Sequence, residues 1–148
     1  MSVNTELAGK EYPPTEPYLV GREKIREFAG AVQASNPVHF NVDAATAAGY
    51  DDLVAPPTFT IVVQQRGLDQ LLADDSAGIE LHRVVHGDQR FNIVRPILAG
   101  DELTVKFRVA TVRPLGGNAM VSTEADILDA AGVLVATSYA TLVVGGDE

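Results

Sequence analysis

The segment ASNPVHFNV, at residues 34–42, contains the side chain best suited to proton transfer in this chain. His39 directly follows Asn-Pro-Val, and an imidazole can accept or release a proton near neutral pH. Two interpretations are open. The ring is either a surface side chain bonded to the backbone, or one half of an acid–base pair whose other half lies elsewhere in the fold.

Other reactive groups are scarce in this sequence. The absence of cysteine excludes a disulfide framework, a thiolate nucleophile and a thiolate metal site. His82 and His86 stand four residues apart, a spacing that suits a metal pair on a helix, but the chain has no HExxH motif, and on the predicted strand an even separation merely puts both side chains on one face. We therefore expect no metal site, and we expect Gly87 to mark a bulge or bend in that strand.

Length, composition and charge limit the function further. A chain of 148 residues with a hydrophobic fraction of 46% predicts one globular domain over residues 1–148. No run approaches the roughly 18 apolar residues of a membrane helix, and the N-terminal segment lacks an export signal, so we expect a cytoplasmic protein without membrane contact. A net charge of −9 argues against nucleic acid as a partner, because such binding rests on cationic side chains.

The elements around His39 are predicted from hydrophobic spacing. The Pro-rich stretch EYPPTEP predicts an extended arm, and REKIREFAGAVQA predicts a helix that stops near Ser35, since the residue before Pro37 avoids the helical conformation. DAATAAGYDD predicts a short helix with Asp43 as its N-cap and an end near Gly49. Residues 36–42 are then a loop between two helices.

The rest of the chain predicts one buried helix and an antiparallel sheet. APPTFTIVVQQRGLDQLL suits a strand by composition, but its apolar positions continue beyond strand length, which favours a buried helix at residues 57–72. Residues 79–145 alternate apolar and polar positions between the short turns AGDE, LGGN and DAAG, which predicts about four strands. The predicted fold class is α+β, with one sheet curled around one buried helix, the hot-dog architecture.

Three segments carry a resemblance to a known family. NPVH at residues 36–39, followed by APPTF, resembles the D-x-N-P-[ILV]-H loop region of the MaoC-like (R)-specific enoyl-thioester hydratases and (3R)-hydroxyacyl-ACP dehydratases. HGDQRFNIVRPILAGDEL at residues 86–103 and REKIREFA at residues 22–29 look like the FAS1-like dehydratase branch of that family. The resemblance implies a hot-dog fold and chemistry on an acyl thioester, with no cofactor.

The resemblance also implies roles for particular residues. Addition or removal of water at an enoyl thioester needs a carboxylate and an imidazole around one water, and donors at the developing enolate oxygen. It implies that His39 is catalytic and that Asn36 helps to orient the catalytic groups. It further implies substrate contacts at the start of the buried helix, from Pro57, Thr58 and Phe59.

This sequence departs from the family pattern at two positions. Ala34 stands where the family has its catalytic Asp, and Pro57 stands where catalytic relatives have a Gly whose N–H serves the oxyanion. Asp43, Asp51 and Asp52 are the candidates for a replacement acid.

A basic rim is the remaining candidate site. Arg90 and Arg95, with Lys106 and Arg108 on the next strand, could bind the phosphates of coenzyme A or of a phosphopantetheine carrier. An ordinary solvated sheet face is the alternative interpretation.

Two functions remain open. The chain is either the acyl-binding, weakly catalytic or non-catalytic subunit of a dehydratase of fatty-acid synthesis, or a self-sufficient homodimeric (R)-specific enoyl-CoA hydratase that uses His39 with a non-standard acid. The expected partners are an acyl-CoA or acyl-ACP thioester and either a second copy of the chain or a catalytic hot-dog subunit, because an isolated sheet of this kind leaves an unpaired edge.

Overall fold

The computed structural model describes residues 2–146 and contains three helices and five strands within them. The helices are α1 (Arg22–Ala31), α2 (Val42–Ala47) and α3 (Thr60–Leu72), and a 3-10 turn at Pro57–Phe59 leads into α3. The strands are β1 (Tyr18–Leu19), β2 (Val84–Ile93), β3 (Glu102–Leu115), β4 (Asn118–Leu128) and β5 (Leu134–Val144). In the part that the structure describes, no helix is long and apolar enough to cross a membrane.

The five strands form one antiparallel sheet in the order β1-β3-β4-β5-β2. Tight turns join β3 to β4 and β4 to β5, as the turn residues predict, whereas β2 lies at the far edge and pairs with β5. The register between β2 and β5 shifts between His86 and Asp88, so the bulge predicted at Gly87 is confirmed.

The helix predicted at residues 57–72 is confirmed and is the centre of the fold. α3 contacts β3, β4 and β5, and Phe59, Val63 and Leu71 at its buried face are fully inaccessible to solvent. The alternating inward residues of β3, such as Leu103 and Phe107, complete the core on the other side.

The first helix ends earlier than the proline predicts. α1 ends at Ala31, and Gln33 adopts a left-handed φ of 59°. The N–H of Gln33 donates to Gly30 O and the N–H of Ala34 donates to Ala29 O, which is a Schellman closure. The helix therefore stops through its own C-terminal hydrogen bonds, well before Pro37 acts.

The N-cap predicted for the second helix is also wrong. Asn41 caps α2, because its side-chain oxygen accepts from the N–H of Ala44 at 2.9 Å. Asp43 lies within the first turn, where its charge faces the positive end of the helix. Asn and Asp cap helices about equally well, so composition did not distinguish them.

Gly67 allows α3 to lie against β3. A Cβ placed on Gly67 would lie 2.8 Å from Phe107 Cβ and 2.9 Å from Val105 Cγ1, closer than such atoms pack. Both neighbours are fully or almost fully buried in the core, so they have little room to move away. A side chain at this position would separate the helix from the strand.

We predict that Gly67→Ala lowers the free energy of unfolding by about 1–3 kcal/mol through overpacking. Gly30→Ala is the matched control, because Gly30 lies in α1 and a Cβ placed on it would have no neighbour from outside that helix within 4 Å. That substitution should raise the stability by about 0.5–1 kcal/mol through helix propensity. Urea unfolding followed by circular dichroism measures both, and equal gains for the two variants would contradict the close approach.

Candidate functional site

A cavity of about 410 Å³ lies at the start of α3. Its size falls in the range of sites for small ligands, and most of its wall is apolar. Four segments form it: the loop that carries His39, the end of α2, the segment that leads into α3, and the end of β2 with the residues after it. The lining residues are Asn36, Val38, His39, Ala48, Tyr50, Val54, Ala55, Pro56, Pro57, Thr60, Ile93, Pro96 and Ile97.

A short capped turn holds His39 in the cavity wall. Pro37–His39 form a 3-10 turn, and the side-chain oxygen of Asn36 caps it by accepting from the N–H of Val38 at 3.1 Å. Proline at the first turn position fixes the backbone without removing a needed donor. Asn36 therefore has a structural task in the loop besides its place in the cavity wall.

The ring of His39 is oriented by a backbone carbonyl. Its Nδ1 lies 2.5 Å from Val54 O, and the N–H of Val54 in turn donates to Val38 O at 3.0 Å. Because a carbonyl oxygen only accepts, Nδ1 must carry a hydrogen, and in the neutral ring Nε2 then holds the lone pair. Within residues 2–146 Nε2 has no hydrogen-bond partner, so it is the nitrogen that could take a proton from a ligand or water.

The cavity wall contains no carboxylate among the residues that the structure describes. Ala34 occupies the position where the family resemblance implies an Asp. Asp43 and Asp51 are exposed, and Asp52 is held by Arg22, whose Nε and Nη2 donate to it at 3.0 and 2.8 Å. That hydrogen bonding lowers the pKa of Asp52 below its usual range, which makes it a weaker base. None of the three candidates lies in the wall as a replacement acid.

Of the three residues expected to contact substrate at the start of α3, only Pro57 lines the cavity. Pro57 lines the cavity and has no N–H, and the hydroxyl of Thr60 in the wall already donates to Pro57 O at 2.7 Å. Thr58 is exposed and is not a lining residue. Phe59 is fully buried and packs edge to face on Phe28, with ring centroids 5.4 Å apart, so it supports the core beneath the site.

The four basic residues proposed as a rim do not meet at this cavity. Arg95 donates to Asp101 at 2.8 Å, a hydrogen bond that raises the pKa of Arg95, and Arg108 binds Glu124 and Asp126. The Arg90 guanidinium lies 4.2 Å from the ring centroid of Tyr139, its cross-strand partner. Lys106 borders another cavity, beside Arg108.

The two histidines near β2 also remain apart from the site. His82 lies in a turn and contacts Glu80 at 3.5 Å, while His86 is exposed on β2. Across residues 2–146 no group of three or more His, Asp or Glu side chains is arranged to hold a metal ion.

The polar residues next to the cavity were not predicted from the sequence. Tyr50 and Thr60 line it. Gln64, one turn beyond Thr60, is buried, exchanges hydrogen bonds with Gln89 and accepts one from the Ser138 hydroxyl. The i, i+4 spacing of Thr60 and Gln64, on a helix predicted to be buried, was a usable signal for polar groups that share one interior face.

The curled antiparallel sheet around α3, with a histidine turn beside the helix start, defines a hot-dog protein of the dehydratase and hydratase type. The chain belongs to the family described as the FAS1-like dehydratase domain region, whose model matches residues 6–138. A UPF0336 protein of Leifsonia xyli subsp. xyli is 60% identical, over 99% of this chain and 98% of its own length. A UPF0336 protein of Streptomyces coelicolor is 42% identical, over 100% and 99% of the two chains.

Solved structures agree with this assignment. The HadBC (3R-hydroxyacyl-ACP dehydratase) complex of Mycobacterium tuberculosis contains a chain that is 38% identical, with a TM-score of 0.79 over 93% of this chain and 96% of that one. A MaoC-like dehydratase is 34% identical, with a TM-score of 0.83 over 95% of this chain and 42% of that one. The (R)-hydratase of A. caviae, 19% identical with a TM-score of 0.69 over 91% and 94% of the two chains, shares the fold.

The contact between His39 and Val54 predicts which tautomer the imidazole ring adopts. In mildly alkaline solution we expect the neutral His39 ring to carry its hydrogen on Nδ1, because Val54 O accepts it. Long-range ¹H–¹⁵N correlation spectra distinguish the two tautomers, with exposed His82 and His86 as references in the same sample. A hydrogen on Nε2 of His39 would contradict the orientation of the ring.

Proposed function

We propose that this chain is the acyl-binding subunit of a (3R)-hydroxyacyl-thioester dehydratase and that its own site is weakly catalytic or silent. The observation that carries the proposal is the composition of the cavity wall, which has one imidazole and no carboxylate among the described residues. An apolar cavity beside the helix start suits the acyl part of a thioester. The family and the 38% identity to a chain of a (3R)-hydroxyacyl-ACP dehydratase complex support the substrate class.

The missing groups limit the chemistry that the cavity can perform. Hydration needs a base to take a proton from water and an acid to protonate the acyl carbon, and His39 alone would have to do both. Loss of one proton-transfer group typically lowers the rate by about 10²–10⁴-fold. Loss of an oxyanion donor, as at Pro57, removes about 10²–10³-fold more.

A self-sufficient enoyl-CoA hydratase is the second candidate, and the orientation of His39 favours it. With Nδ1 bonded to Val54 O, Nε2 is left able to act as a base without help from a carboxylate. In this case the acid must come from a group outside the expected position. Asp43 was the first candidate from the sequence, but it is exposed on α2.

Kinetics on purified protein distinguish the two candidates. We expect the chain alone to hydrate crotonyl-CoA far below an ordinary enzymic rate of about 1–10³ s⁻¹, and His39→Ala to change that background little. Mixed with a sister hot-dog chain that carries an intact D-x-N-P-[ILV]-H loop, it should support turnover. An ordinary rate for the chain alone, abolished by His39→Ala, would establish the second candidate instead.

Restoring the missing groups is a stricter test of the silent site. Ala34→Asp leaves the end of α1 intact, because only the backbone N–H of Ala34 takes part in that closure. We expect modest hydration of crotonyl-CoA from Ala34→Asp and little from Pro57→Gly. The double variant should exceed the product of the two single effects, because proton transfer and oxyanion stabilisation act on one transition state. His39→Ala in the double variant is the control and should remove the gain.

The edge strand β2 is the surface that we propose for pairing with a second subunit. It has a strand partner on one side only within the described residues, and large apolar side chains are exposed along and beside it: Leu81 at 68%, Val85 at 65% and Val94 at 61%. An unpaired edge with exposed apolar groups favours association with another such edge. The HadBC and ChsH1–ChsH2 structures of Mycobacterium tuberculosis are complexes, which supports a hetero-oligomer as the working form.

In isolation we expect the chain to form a homodimer at micromolar concentration through β2. Val85→Lys should shift it toward monomer, since a lysine on an edge strand opposes pairing. Leu19→Lys on β1, at the opposite edge and with 63% of Leu19 exposed, is the matched control and should leave the dimer intact. Light scattering measures the mass, and a monomeric wild type would contradict this proposal.

A further inference from the structure

Two buried polar side chains, Gln64 and Ser138, and the half-buried Gln89 form a closed hydrogen-bond cluster between α3 and the sheet. Gln64 and Gln89 exchange amide hydrogen bonds at 3.3 and 3.0 Å, and Gln89 Nε2 also donates to Ser138 Oγ at 2.7 Å. The Ser138 hydroxyl in turn donates to Gln64 Oε1. Gln64 and Ser138 are almost completely buried, and Gln89 lies on the edge strand β2.

The cluster lies one helical turn from the cavity along α3 and four residues from it along β2. Gln64 follows Thr60 by four residues on α3, so the two share a helix face about 6 Å apart along the axis. Gln89 precedes Ile93 by four residues on β2, and an even separation puts both side chains on the same face of the sheet. Thr60 and Ile93 line the cavity, and Gln64 and Gln89, four residues away on the same two elements, hydrogen-bond to each other. Phe91 lies between Gln89 and Ile93 on that face of β2.

An acyl chain that extended through this position would have to separate the cluster. Each methylene buried in an apolar wall improves affinity by about fourfold. Each buried amide or hydroxyl left without a partner lowers it by roughly five- to 150-fold. Since opening the cluster leaves several polar groups unpaired at once, one or two additional buried methylenes do not compensate for it.

We propose that Gln64, Gln89 and Ser138 form a polar stop that sets the maximum length of the acyl chain in this cavity. The inference rests on the proposed function, because it assigns the specificity of the same acyl site. Chains that end within about one helical turn of Thr60 fit without disturbing the cluster, a span of a few methylenes. Longer chains meet the hydrogen-bonded amides.

The test replaces all three polar groups together with Gln64→Leu, Gln89→Leu and Ser138→Ala. Removing every partner at once leaves no unpaired group, so the triple variant should stay folded. Gln65→Leu is the matched control, because Gln65 is the next residue on α3, is exposed, and bonds only to Asp69 among the described residues. Circular dichroism and thermal melting establish that each full-length variant is folded.

Calorimetry then measures the affinity for butanoyl-, octanoyl-, dodecanoyl- and hexadecanoyl-coenzyme A. In the wild type and in Gln65→Leu, we expect the affinity to rise and then stop rising or fall with length. In the triple variant it should continue to rise, with the longest thioester bound at least about tenfold more tightly than by the wild type. Butanoyl-coenzyme A should bind all three proteins alike.

The outcomes separate this inference from the proposed function. Thioester binding with the same length dependence in the wild type and the triple variant overturns the polar stop and leaves the proposed function standing. Absence of binding of every thioester to every protein overturns the proposed function and the polar stop with it. If the triple variant does not fold, the single variant Gln89→Met on the edge strand takes its place. Affinity that continues to rise with acyl length supports the polar stop, and the length dependence of the wild type overturns it.

Discussion

The close approach of α3 to β3 at Gly67 is the constraint on which the rest of the structure depends. It lets one helix fill the interior of the curled sheet, and it fixes how closely α3 lies against the sheet. The cavity exists because the loop residues and the end of β2 meet that helix start. β2, which contributes Ile93 to that cavity, is also an edge strand of the sheet, so the site and the unpaired edge share one element.

The loop that carries His39 is held by local interactions that do not require a ligand. Asn36 caps the turn, Val54 O orients the ring, and the closed end of α1 fixes the backbone at Ala34. The loop is therefore ordered without the carboxylate that the family resemblance implies. Such a scaffold provides the shape that binding needs, whereas catalysis would need the acid as well.

Sequence patterns predicted the features that depend on hydrophobic periodicity or on a single local residue. The buried helix followed from apolar positions between Phe59 and Leu72, and the bulge at Gly87 followed from one glycine in a strand. The end of α1 was predicted wrongly because Gln33 adopts a left-handed conformation that its residue type does not favour. The ring contact between His39 and Val54 joins residues fifteen apart through tertiary folding, so no local pattern could indicate it. The partners of Arg108 depend on the register of β3 against β4, which places Glu124 opposite it.

The position of β2 couples ligand binding in the cavity to pairing with a second subunit. This strand contributes Ile93 to the cavity wall and Gln89 to the cluster behind it, while its outer edge faces outward. A subunit that pairs with this edge and restricts its motion also restricts the wall against which a ligand must pack. By thermodynamic linkage the effect is reciprocal, so a ligand that orders the wall strengthens subunit pairing by the same factor. In such an assembly, the affinity of the cavity for its ligand and the affinity between the subunits are linked in one equilibrium.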